Sequence, residues 1–122
     1  MTRRTEQRDA IATLLQTTER PLSAAEVHEH ALVSVPAIGI ATVYRELKRL
    51  VAAGEIVSVD LPGEPSRFER ADHDHHHHFR CDECARVFDV PGCSGTIDTH
   101  APDGFVVTRH EVVLYGTCAE CN

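Results

Sequence analysis

Between Thr5 and Thr18 the apolar residues Ala10, Ile11, Leu14 and Leu15 recur on one helical face, which predicts a first helix. Arg20-Pro21 ends that pattern. Ser23-Ala-Ala-Glu26 follows as a capping box: the serine hydroxyl can accept from a first-turn amide while the glutamate reaches back to the serine N–H. It predicts a second helix running to about Leu32. Pro36 and Gly39 mark a turn. A third helix is expected over Ala41–Ala53, with Val43, Leu47 and Leu50 as its apolar stripe and Gly54 as its stop. The period then changes to two. Ile56–Asp60 and Ser66–Arg70 alternate, and Leu61-Pro-Gly-Glu-Pro65 between them is turn chemistry, so the pair predicts a β-hairpin. Three helices followed by a two-stranded wing is the winged form of the helix-turn-helix, in which the third helix is the recognition element.

Ala71-Asp-His-Asp74 reads as a hinge, dividing the chain into a winged-helix unit over 1–71 and a second unit over 72–122. The second unit is expected to hold strands near His76–Arg80 and Arg86–Val90. A Gly/Pro-interrupted segment follows over Pro91–Asp103, and then a hairpin or bent strand over Phe105–Tyr115. The fold class is α+β, the second unit being a small α/β domain. A chain of about 50 residues cannot bury enough apolar surface to stand alone. It needs a metal staple, a partner subunit, or both.

Charge sharpens this division. Residues 1–60 carry 7 basic and 8 acidic side chains, whereas residues 61–122 carry 5 and 11. An acidic, histidine-rich half suits divalent cations. A nearly neutral half can still bind DNA when its arginines share one face. No apolar run approaches 18 residues, and the opening Met1-Thr-Arg-Arg-Thr-Glu-Gln-Arg8 never reaches a signal-peptide core. A cytoplasmic protein without membrane association is expected. In that compartment disulfides are rare, and paired cysteines read as metal ligands.

Cys81-Asp-Glu-Cys84 and Cys118-Ala-Glu-Cys121 are two CxxC knuckles, each offering two thiolates from one tight turn. Together they supply a closed, four-coordinate Zn2+ site, structural because no position stays open. The alternative is a pair of redox motifs or buried thiols. The run His75-His-His-His78, preceded by His73, is the second signal. On a strand, His76 and His78 face one side and His75 and His77 the other, so one strand can feed two metal sites. A solvated polar strand is the plain alternative. Carboxylates that could complete a nitrogen/oxygen site are Glu69, Asp89, Asp60 and Asp98. A metal held by Glu69, His76 and His78 would lock the two units in one relative orientation. On the third helix Thr42, Tyr44, Arg45, Lys48 and Arg49 offer groups for phosphates and base edges. Lys48 and Arg49 could equally form an ordinary solvated face.

Three segments carry a family resemblance: Ile40-Ala-Thr-Val-Tyr-Arg-Glu-Leu47, His76-His-His-Phe-Arg-Cys-Asp-Glu-Cys84 and His110-Glu-Val-Val-Leu-Tyr-Gly-Thr-Cys-Ala-Glu-Cys121. In this order, over nearly the whole chain, they resemble the ferric uptake regulator family. The resemblance implies a homodimer with a winged helix and a dimerisation domain, regulated by a bound divalent metal. It assigns Cys81, Cys84, Cys118 and Cys121 to structural zinc. Glu69, His76, His78 and Asp89 match a regulatory site near the hinge. His75, His77 and His110 match a further site. Tyr44 and Arg45 match residues facing the major groove, and Arg4 and Arg8 sit where the first helix approaches the DNA backbone or minor groove.

Some positions depart from the pattern. Pro21-Leu-Ser-Ala24 stands where the family often has a regulatory histidine, leaving His28 and His30, further along the helix, as substitutes. The family's leading basic helix has no counterpart ahead of the first core helix. Cys93 falls close to the carboxylate that completes the further site and could replace it, or be a small half-buried residue. Ala71 stands near the cysteine of zinc sensors, which weighs against that branch, while Asp89 resembles the peroxide-sensing branch.

The expected function is a non-enzymatic, metal-responsive repressor of metal-homeostasis or oxidative-stress genes. Fe2+, Zn2+ or Mn2+ would be corepressor and a palindromic duplex operator the partner, with no small organic substrate. A peroxide-sensing repressor is the alternative within the family. More remote are a metal-storage module and a zinc hydrolase, the latter suggested by His73-Asp-His-His-His-His78 but lacking a placed general base.

Overall fold

The structure, a computed structural model, describes residues 2–72, 74–93 and 95–122. It divides into two compact units, Met1–His73 and Asp74–Asn122.

In the first unit, helix α1 spans Arg3–Thr17, α2 Ala24–Ser34 and α3 Ile40–Ala52. Thr2 caps α1 by accepting from the Thr5 N–H at 3.1 Å. The capping box at α2 is formed in both directions. Ser23 Oγ accepts from the Glu26 N–H (3.2 Å), and Glu26 Oε1 from the Ser23 N–H (3.1 Å). Arg20 donates to the other Glu26 oxygen at 2.7 Å. Burial would raise the Glu26 pKa, but the Arg20 hydrogen bond, the Ser23 backbone bond and the Arg20 charge hold it below its ordinary value. Gly54 closes α3 at φ 75°, a left-handed conformation that costs glycine little. The helices meet through Ile11 and Leu15, through Val27 and Ala31, and through Val43, Leu47 and Leu50, all almost fully buried. Each such valine, leucine or isoleucine contributes about 1.5–3 kcal/mol on leaving water.

The wing is the antiparallel pair β2 (Ile56–Val59) and β3 (Arg67–Arg70). A two-residue strand β1 (Leu22–Ser23) adds to β3, giving the order β1-β3-β2. No local pattern announces β1, because its partner lies more than forty residues away. Asp60 accepts from Ser58 and Ser66 at 2.9 and 2.5 Å and so fastens the hairpin.

The second unit is a three-stranded sheet. Strand β4 (His76–Cys81) lies between β5 (Val87–Pro91), antiparallel, and β6 (Val113–Gly116), parallel. Its helical part is a 3-10 turn over Ile97–His100. The expected hairpin or bent strand over Phe105–Tyr115 is reduced to β6, and residues 105–112 carry no strand pairing. The reason is visible in the burial: Phe105 and Val106 are exposed, so no layer within the described chain rewards a further strand there.

Candidate metal centres and DNA-facing helix

Sheet order brings the knuckles together. The Cys81 end of β4 lies beside Gly116 at the end of β6, two residues before Cys118. A side chain at Gly116 would press on Phe79, with a Cβ only 3.3 Å from Phe79 Cζ, so glycine permits the approach. The sulfurs of Cys81, Cys84, Cys118 and Cys121 all lie within 4.8 Å of one another, and all are free thiols. Cys84 and Cys118 Sγ are 3.9 Å apart. A tetrahedral zinc ion with Zn–S bonds of about 2.3 Å separates its sulfurs by about 3.8 Å. A disulfide needs about 2.05 Å. The spacing of the four sulfurs therefore fits a zinc tetrathiolate.

Electrostatics agrees. Hydrogen bonds from the Cys84 and Cys118 amides pull the Cys81 thiol down to about 6. The Arg86 backbone N–H and then its guanidinium lower Cys84. The neighbouring Cys118 sulfur pushes Cys121 up to about 12. Four crowded sulfurs cannot all ionise without a cation among them. Arg86 adds positive charge from outside, with Nε 3.1 Å from Cys84 Sγ and Nη2 2.5 Å from Glu120.

The histidines separate by face as alternation requires. His76 and His78 share one side of β4, with ring centroids 4.8 Å apart. Each directs Nε2 at Asp89 Oδ1, at 3.3 and 3.5 Å, and His78 is paired with Asp89 across the β4–β5 ladder. His76 Nδ1 lies 2.7 Å from the Asp74 carbonyl. A carbonyl can only accept, so Nδ1 is placed to donate to it, while Nε2 is directed at Asp89. Metal-ligating histidines commonly donate their other ring N–H to a backbone carbonyl in this way. Glu69, the residue expected to join them, is buried on β3 of the first unit opposite Val57.

On the other side, His75, His77, Cys93 and His110 bring four donor atoms within 4.8 Å of one another. Cys93 is exposed and its Sγ lies 3.1 Å from His110 Nε2, which replaces the half-buried reading of this cysteine. Asp98 accepts from His110 Nδ1 at 2.8 Å, so this carboxylate belongs with His110. Cys93 and Asp98 together raise the His110 pKa. The Gly95 amide and then His110 lower that of Cys93. His77 is different. Its Nδ1 accepts from the Val112 N–H at 3.2 Å, so the neutral ring carries its proton on Nε2, which is buried and forms no hydrogen bond. Burial, then the surrounding imidazoles, lowers its pKa.

His28 does not stand free as a substitute ligand. Its Nε2 meets the Ile38 carbonyl at 2.9 Å and holds the turn between α2 and α3. His73 lies outside the described residues, so the hydrolase-like run is described only over His75–His78.

On α3, Tyr44, Arg45, Lys48 and Arg49 are exposed and Thr42 is half-buried, accepting from Arg45 Nη2 at 3.0 Å. Arg4 is exposed on α1 and Arg8 is partly so. One residue of this region escaped the sequence reading. Glu46 is 6% exposed, on the buried side of α3, where an acidic residue flanked by Val43, Leu47 and Leu50 was the available signal.

A winged helix with an arginine-bearing third helix, joined to a unit built around clustered metal donors, defines a metal-responsive, DNA-binding transcription regulator. The model of the ferric uptake regulator family matches residues 1–115, and the chain belongs to that family. It is 37% identical over 105 residues to a ferric uptake regulation protein of Bordetella parapertussis, covering 84% of this chain and 76% of that protein. It is 31% identical over 122 residues to the zinc uptake regulation protein of Mycobacterium tuberculosis, covering 98% and 94%. Among solved structures it resembles a zinc-bound manganese uptake regulator at a TM-score of 0.81 and 29% identity, covering 96% of this chain and 91% of that one. No helix of the described residues is long and apolar enough to cross a membrane.

Proposed function

We propose that the chain is a cytoplasmic, homodimeric repressor that binds a palindromic operator when its regulatory site holds a divalent cation, Fe2+ or Zn2+ before Mn2+. The observation that carries this reading is the convergence of two imidazole Nε2 atoms on one carboxylate. His76 and His78 share one side of β4, and each directs Nε2 at Asp89 Oδ1, at 3.3 and 3.5 Å. Mixed imidazole and carboxylate donors suit Fe2+, Mn2+ or Zn2+.

Cys81, Cys84, Cys118 and Cys121 hold structural zinc, which closes the end of the chain onto β4. His76, His78 and Asp89, with Glu69 from the first unit, hold the regulatory cation. His75, His77, His110 and Cys93 form the further site. A bound cation supplies the positive charge that draws these imidazoles and carboxylates together. By linkage, metal and DNA then each raise affinity for the other by the same factor. Arg45, Lys48 and Tyr44 read or brace the major groove, with Thr42 and Arg49 beside them and Arg4 and Arg8 on the backbone. The dimer is supported by the exposed apolar residues Phe105, Val106, Leu114 and Tyr115, the last two on an edge strand. Two-fold symmetry in the protein calls for a palindromic site.

The test is selection from a library of random duplexes by protein retaining only its tightly held zinc. Fe2+, Mn2+, Zn2+ and Ni2+ are supplied separately at buffered free concentration. Enrichment of a palindrome under one metal is the expected result and names that metal. Metal binding with no sequence preference would contradict the repressor reading and favour a metal-storage module.

A further inference from the structure

The first unit contains a cleft of about 540 Å³ between α1 and α3. Arg3, Arg4 and Arg8 reach it from α1, and Arg45 and Arg49 from α3, around the single carboxylate of Glu46. A carboxylate on the core side of a helix loses hydration and needs cationic partners in return. Glu46 has one for each oxygen. Its Oε1 accepts from Arg49 Nε at 2.9 Å and from Arg49 Nη2 as well, a fork held within α3. Its Oε2 lies 3.5 Å from Arg8 Nε, which crosses from α1. Both arginines remain open on the other side: their side chains are 39% (Arg8) and 45% (Arg49) exposed, against 7% for Glu46.

A guanidinium carries five N–H donors in a rigid fork. Engaging Nε on an internal carboxylate fixes the plane of the group and leaves outward N–H donors, a geometry suited to phosphate oxygens. Pairing Arg8 and Arg49 through one acceptor also ties the recognition helix to α1. On charge alone Glu46 is unfavourable for nucleic acid, because it cancels one of the positive charges that would attract the backbone. Its burial between two partly exposed arginines is better explained by orientation than by charge.

We propose that Glu46 is a positioning residue that presents Arg8 and Arg49, one from each helix, to phosphates of the DNA backbone in the α1–α3 cleft. The inference rests on the DNA-binding reading above and adds to it how the backbone is gripped and by which buried group.

Charge and orientation make opposite predictions for Glu46→Gln, which retains the shape and removes the charge. The measurement is the affinity of the metal-loaded, full-length protein for a mixed-sequence duplex across a range of salt. If Glu46 only offsets charge, the variant binds more tightly and its plot of log affinity against log salt steepens by about 0.9 per phosphate gained. As a positioning residue, its loss weakens binding about tenfold, as expected for a lost charge-assisted contact, and makes the slope shallower. A purely structural role would change thermal stability and leave the salt slope unmoved. Should Glu46→Gln fail to fold, Arg8→Lys decides. It keeps the charge and loses the fork, so positioning predicts several-fold weaker binding and a charge-only role predicts none. Unchanged or tighter binding by the variants overturns this proposal while leaving the repressor reading intact. A wild-type protein that binds no duplex under any metal overturns both.

Discussion

The two units are built by different means. The first has a continuous apolar core of eleven buried residues, from Ile11 on α1 to Ile56 on β2. Among the described residues of the second, those that leave solvent almost completely are Cys81, Val87, Cys118 and His77. Two of these are thiols and one is an imidazole whose Nε2 has no hydrogen bond. The first unit therefore gains its stability from the hydrophobic effect. The second, too short for such a core, places metal donors where a larger domain would place leucine. On the proposed reading, folding and zinc binding are one event in the second unit.

The largest effect should come from the thiolates. Replacing Cys81 and Cys84 by serine removes half of the zinc donors, and structural zinc sites of this type contribute on the order of 10 kcal/mol in apparent free energy. Hydrogen exchange should then show β4, β5 and β6 unprotected while α1, α2 and α3 stay protected, with zinc content near zero. Protected β-strands in the zinc-free protein would erase the distinction between the units. Leu47→Ala works from the other side. It opens a cavity in the helical core and should cost about 2–5 kcal/mol. Melting of the first unit should fall while bound zinc remains stoichiometric.

A smaller effect is expected at the α2 cap. Glu26→Ala loses the return arm of the capping box and the Arg20 partner, about 1 kcal/mol. The pH dependence has a definite sign. Because the folded pKa of Glu26 is lowered, its contribution is present above the ordinary carboxyl value and is lost as pH falls through the folded value. Denaturant midpoints of wild type and variant should therefore differ at neutral pH and converge on acidification. A gap that widens in acid would show that the Arg20–Glu26 pair is not its source.

What the sequence made legible follows this same contrast. Period and caps located α1, α2 and α3 to within a few residues, since Val43, Leu47 and Leu50 or Ser23 and Glu26 act within one or two turns of each other. The knuckles were equally plain, because both ligands of each pair sit in one turn and β4–β6 pairing closes the distance between pairs. Long-range placements were not legible. Strand β1 depends on Phe68 and Arg67 far along the chain, and β6 gains its partner only through β4. The role of Asp98 as a partner of His110, and of Glu46 as a partner of Arg8, depend on which elements pack together. Alternation assigned the histidines to two faces. It could not show that His76 Nδ1 meets the Asp74 carbonyl or that His77 Nδ1 accepts from the Val112 amide, because both partners lie outside the strand's own pattern.

The central claim is that structural and regulatory metal occupy separate donor sets, and one comparison tests it most directly. Wild-type protein and the double variant His76→Ala/His78→Ala, each retaining its tightly held zinc, are titrated onto the selected duplex at buffered free concentrations of the regulatory metal. The account predicts that the variant keeps its zinc and its dimer but loses the metal-induced gain in DNA affinity. Full metal dependence in the variant would contradict it and move regulation away from His76 and His78.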